Sequence, residues 1–136
     1  MERYAIINVA PDWEPHQVVG FSEGTVRTLQ GEIEAGMRVL LFKTSPVNAI
    51  VAECEVPNGQ FFDPDNWPDT AQKATPMTGF GVAADYVLPL RVILTRAPGN
   101  FIPLSHVEDY IDRERLMNDE WVEITPEDYH VLSPTP

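Results

Sequence analysis

The stretch that most restricts the fold spans residues 37–56, MRVLLFKTSPVNAIVAECEV. It holds two apolar runs, 39–42 and 49–56, rich in Val, Ile and Leu. Runs this short and this β-branched, bounded by Ser, Pro and Asn, read as strands rather than helix. Pro46 offers no backbone N–H, so the segment from Lys43 to Asn48 is a turn. The expected unit is a β-hairpin buried on most of both faces. The second strand is read with Ala49, Val51 and, departing from strict alternation, Cys54 on one side and Ile50, Ala52 and Val56 on the other. Glu53 and Glu55 then mark where that strand reaches solvent.

The rest of the chain supplies partners for this hairpin. Residues 3–9 (RYAIINV) read as a first strand, and 11–20 as a loop holding Trp13 and His16. Ser22 is placed to cap a short helix over 23–30, which Gly31 ends. A tight connection, 32–36, leads into the hairpin. Residues 56–81 form a long loop, rich in Pro and Gly, that still carries Phe61, Phe62, Trp67 and Phe80. Loops of that length are functional or mobile, and aromatics set this one apart from a disordered linker, so part of it packs on the body. Residues 86–94 (YVLPLRVIL) read as a strand, with Pro89 marking an edge or a bulge. Ser105 and Glu108 fit a capping box opening a helix to about residue 116. Residues 121–124 are extended, and Thr125 with Pro126 opens a last helix to about residue 132. Alternation of strand and helix is too sparse for a doubly wound sheet. The expected class is α+β: a small, curved, mixed sheet or pseudo-barrel of five or six strands with short peripheral helices.

At 136 residues the chain suits one domain with a real core. No apolar run nears the roughly 20 residues of a membrane span, and the opening lacks a leader's apolar stretch, so a cytoplasmic protein without membrane contact is expected. A single cysteine, Cys54, excludes an internal disulfide and argues against a cysteine metal site. Net charge is −12, which argues against gripping nucleic acid mainly through phosphates. The charge is uneven. Residues 53–69 are purely acidic, whereas 70–106 set Asp85 against Lys73, Arg91 and Arg96. Residues 107–136 are strongly acidic again, a solvated surface or a face for a basic partner.

Several segments together resemble the PUA-like superfamily, and within it EVE domains. They are the opening YAIIN (4–8), GMRVLLF (36–42), AIVAECEV (49–56), the run 86–94 and the closing ITPEDY (124–129). Residues 39–56 also resemble the central hairpin of YTH domains. The likeness covers nearly the whole chain in order, on hydrophobic motifs. The Pro- and Asp-rich aromatic loop and the acidic surface depart from it. The resemblance implies a pseudo-barrel with helices at its ends, and a pocket between the central hairpin and neighbouring loops that holds a modified base. A flipped base offers two faces for stacking, worth about 1–3 kcal/mol on an aromatic, and an edge for hydrogen bonds.

Read toward such a pocket, Trp13 is a wall or a cover over the barrel end. Trp67 is a wall or a lid, Phe80 a wall or a core ring, and Phe21 a core ring near the site. Asn8 and Asn48 carry amides able to read a base edge. Asn48 equally suits a turn, while Asn8, late in an apolar strand, must find a partner. Thr44 and Ser45 offer hydroxyls, and Lys43 a phosphate contact. The partner is then nucleic acid with a modified base, DNA or RNA, with a nuclease or other effector beside it. No catalytic residue, metal or cofactor is expected: His16, His106 and His130 lack ligand spacing, and Asp63, Asp65 and Asp69 lack the Gly and Glu of a calcium loop. An ASCH-like nucleotide or RNA hydrolase is the alternative, with Lys43 and Glu53 converging in a cleft. A protein-interaction module using the acidic 108–128 face is a third.

Overall fold

The computed structural model describes residues 3–14, 18–63 and 77–133. At its centre lie β1 (Tyr4–Val9), β3 (Arg38–Lys43) and β4 (Ala49–Glu55), with β2 (Val19–Phe21) between the first two in sequence. β1 runs parallel to β3, and β3 is antiparallel to β4, the expected hairpin. Every residue of β1 is buried, as suits a strand covered on both faces. β8 (Trp121–Ile124) joins the far side of β1, and β6 (Arg91–Thr95) the far side of β4. The order is β6-β4-β3-β1-β8, and β7 (Ile102–Pro103) pairs with the start of β4. β2 and β5 (Tyr86–Leu88) form a separate two-stranded sheet.

The fold is therefore α+β with a mixed sheet, but the sheet is open, with β6 and β8 at its ends. The expected single strand over 86–94 breaks at Pro89 and Leu90 into β5 and β6, which serve different sheets. Proline cannot donate to a ladder, and here it ends one sheet and releases the chain into another. β2, inside the expected 11–20 loop, and β7 are too short for a periodic signal.

Two cores lie on the two faces. Ala5, Ile7, Val9, Val39 and Leu41 pack with Trp13, Phe21, Val26 and Leu88. Tyr4, Ile6, Leu40, Phe42 and Ile50 pack under α2 (Leu104–Val107), α3 (Arg113–Asn118) and α4 (Pro126–Leu132). Tyr4 stacks on Tyr129 with ring centroids 3.9 Å apart, which fixes α4 against β1. Each large apolar side chain buried in these layers contributes about 1.5–3 kcal/mol. α1 (Glu23–Leu29) lies beside the first core through Val26 and Leu29. Ser22 begins it, but its hydroxyl meets Thr25 and Glu120 rather than a helix N–H. The helix expected from Ser105 to about residue 116 is two helices. Asp112 intervenes and accepts from the Glu114 N–H, a cap that starts α3 anew. Thr125 caps α4 as expected, accepting from Asp128 N–H at 3.1 Å.

The second hairpin strand departs from simple alternation. A bulge opposite Leu41 and Phe42 leaves Val51 unpaired with β3. Ala52 and Val56 therefore share the first core with Val51 and Cys54, and Ile50 alone turns to the second. Glu53 does not reach solvent. It is 1% exposed on the second-core face, where Oε2 accepts from Ser133 Oγ at 2.8 Å.

Candidate functional site

The end of β1 gathers several of the residues singled out from sequence. Asn8, buried at 1% exposure, donates from Nδ2 to the Leu116 carbonyl at 2.8 Å and to the Asp119 carbonyl at 2.6 Å. Both amide protons thus tie β1 to the end of α3. Its Oδ1 is buried with no hydrogen-bond partner among the described residues. Residues 77–83 cross directly above. A Cβ on Gly79 would sit 2.5 Å from the Asn8 backbone, so only glycine permits this approach. Gly20, on β2, meets the same segment, because a Cβ there would lie 2.7 Å from the Met77 carbonyl.

The hairpin turn adjoins this segment. Thr44 Oγ1 donates to the Gly79 carbonyl at 2.7 Å, and its backbone N–H to the Val9 carbonyl at 3.1 Å. Thr44 therefore joins the ends of β1 and β3 to the strap formed by residues 77–83. Ser45 is exposed beside it, ahead of a cis bond to Pro46. Asn48 takes a left-handed φ of 49°, a conformation that Asn tolerates better than most residues. Its carbonyl accepts from Leu104 N–H at 2.8 Å, which pins the turn to α2. Lys43, half-buried at the end of β3, belongs to the face of Val39 and Leu41.

The aromatics divide. Trp13 is 6% exposed and packs in the first core, with its Nε1–H lacking a partner among the described residues. Phe21 is fully buried, edge-on to Phe61 at 5.7 Å, and presents no face to solvent. Phe80 is exposed on the strap. Trp67 and His16 lie outside the described residues.

Lys43 and Glu53 do not converge. Glu53 pairs with Leu40 across the hairpin and faces the second core, whereas Lys43 lies on the opposite face at the turn end. Glu53 Oε1 instead lies 3.9 Å from an Arg38 guanidinium nitrogen. The two-residue hydrolase site is thereby overturned, since an acid and base must come within hydrogen-bond reach.

Two further clefts of about 450 Å³ flank α1. One is floored by Trp121 and edged by Arg3, Arg115, Glu32 and Glu123. Arg3 donates to Glu123 at 2.8 Å, which raises the guanidinium pKa and lowers that of the carboxylate. The other lies between Gln30, Gly59, Phe61 and Tyr86. Sequence reasoning missed Gly79, Thr78 and Gly20 as the residues that seat the strap. The only available signal was the pair of glycines around Phe80.

An open mixed sheet with helices α2 to α4 on one face and a strap over the hairpin turn is an α+β fold that several solved structures share. Human THYN1, in complex with 5-methylcytosine containing DNA, has this fold with a TM-score of 0.62 and 10% identity, over 99% of this chain and 100% of that one. Protein Atu2648 from Agrobacterium tumefaciens matches with a TM-score of 0.62 and 13% identity, over 96% of this chain and 90% of that one. A Leishmania major protein matches with a TM-score of 0.61 and 10% identity, over 96% and 92%. No family model and no curated protein matches the chain.

Proposed function

We propose that this chain is a nucleic-acid modification reader that accommodates a modified or flipped nucleobase at the end of β1, beside Asn8, Trp13, Thr44, Ser45 and Gly79. One observation carries the reading: the hairpin turn and the strap meet at Asn8, whose buried side-chain acceptor Oδ1 has no partner among the described residues. Buried polar atoms are rarely left so, and an acceptor held in place by two backbone bonds suits an exocyclic amine of a base. The likeness in fold to THYN1, solved with 5-methylcytosine DNA, supports the choice of ligand class. Trp13 supplies an indole N–H in need of an acceptor. Lys43 and the neutral strap keep the acidic surface away from the phosphates.

The test is a tryptophan-fluorescence titration with short oligonucleotides at low salt. These would carry 5-methylcytosine, other cytosine or adenine modifications, or none. The reading predicts quenching that saturates at lower concentration with one modified base than with its unmodified parent, and that Trp13→Phe diminishes. An unchanged signal with every modification would refute it.

A further inference from the structure

The strap exposes three large apolar side chains on a short, internally bonded turn. Met77 is 42% exposed, Phe80 38% and Val82 61%. Such residues on a loop would ordinarily collapse onto the body, yet here the backbone holds them out. Thr78 is buried beneath them, and its Oγ1 accepts from the N–H groups of Phe80 and Val82 at 3.3 and 3.4 Å. Thr78 N–H donates to the Val82 carbonyl at 2.7 Å, Gly81 N–H to the Thr78 carbonyl at 3.2 Å, and Met77 bridges Ala83. Beneath, Gly79 sits on Asn8 and its carbonyl takes the Thr44 hydroxyl. The turn is therefore a stiff projection beside the candidate base site. Residues 77–84 (MTGFGVAA) carry no charge on a chain of net charge −12.

We infer that residues 77–83 form an apolar wedge that enters the base stack of a duplex and fills the gap left by the extruded base. The inference rests on the base-binding reading above and names duplex nucleic acid as the form of substrate. Apolar side chains inserted between base steps unstack them and hold the helix open, and removing a base from a duplex requires such compensation. A neutral projection is also the part of this acidic protein least repelled by phosphates. Protein partners fit less well, because the three side chains stand on a narrow turn and not on a groove or strand face.

The experiment compares Val82→Ser and Phe80→Ser with the wild type on two probes. One is a duplex bearing the modified base that binds best, with 2-aminopurine beside it. The other is the same strand unpaired. The wedge predicts that wild-type protein raises 2-aminopurine fluorescence in the duplex, and that both substitutions abolish the rise. It predicts duplex affinity about tenfold weaker for each variant, with the single-strand affinity of Val82→Ser unchanged. Equal affinity of wild type and variants for the duplex would overturn the wedge and leave base binding standing. Absence of wild-type binding to either probe would overturn both. A wild-type dimer that Val82→Ser converts to monomer would assign the patch to self-association and overturn the wedge as well. Both substitutions fall on exposed positions, and an unchanged circular dichroism melt confirms that the variants fold.

Discussion

The Asn8 amide spends both protons on the Leu116 and Asp119 carbonyls and keeps one acceptor in reserve. Asn8→Ala leaves those two carbonyls buried without their donor, so thermal or urea unfolding should show a loss of about 2–4 kcal/mol, two lost bonds at 1–2 each. Asn8→Asp keeps the acceptor but replaces the donating nitrogen with oxygen, and should unfold more readily still, because a carboxylate would face two carbonyl oxygens. Ser133 answers a similar need at the other side of the second core, where its hydroxyl satisfies Glu53 Oε2. Ser133→Ala should cost about 1–3 kcal/mol in the same assay, since a buried carboxylate oxygen loses its donor. Cys54 is enclosed in the first core, where burial foremost, with Glu53 nearby, pushes its thiol up to about 12. Thiolate-directed reagents should therefore label the folded protein far more slowly than the urea-unfolded one.

Strand and helix ends set the geometry of the candidate site. The strap's approach to β1 depends on Gly79, and Gly79→Ala must push the segment off Asn8, because the contact is with backbone that cannot yield. That substitution should lower stability by more than 1 kcal/mol and expose the Asn8 amide to faster hydrogen exchange. At this scale much of the architecture was readable in the sequence. The hairpin was visible because Val39–Phe42 and Ala49–Val56 leave no room for helical periodicity around Pro46. Thr125-Pro126 announced α4 by cap chemistry alone. Other features had no local signature. The bulge at Val51 is set by pairing, and it shifts Ala52 and Val56 to a face that alternation does not give them. Glu53 reads as solvent-facing because nothing near it in sequence hints at Ser133, eighty positions away. The site was legible in part. Asn8 stood out as a polar residue in an apolar strand, whereas the Thr44–Gly79 bond joins segments with no shared pattern.

On the scale of the whole molecule, the proposed reader is acidic and would have to bind nucleic acid by shape and stacking more than by charge. The logarithm of its affinity should fall with that of salt at a slope shallower than about −3, against the steeper slopes of proteins making many phosphate contacts. Acid stability has a separate origin. Hydrogen bonding to Arg3 lowers the Glu123 pKa below the ordinary carboxylate range. Its contribution is thus complete above that range and fades as pH falls through the lowered value. Melting temperatures of Glu123→Gln and wild type should differ slightly at pH 7 and converge as pH falls below the ordinary carboxylate range, the pair being partly exposed. The central claim, that a base enters at the end of β1, is met most directly by two-dimensional amide and indole NMR during titration with a 5-methylcytosine oligonucleotide. The account predicts that the Trp13 indole, the Asn8 side-chain amide and the Gly79 backbone amide shift together and first. Shifts confined to the clefts around Trp121 or Phe61, with those three signals unmoved, would contradict it.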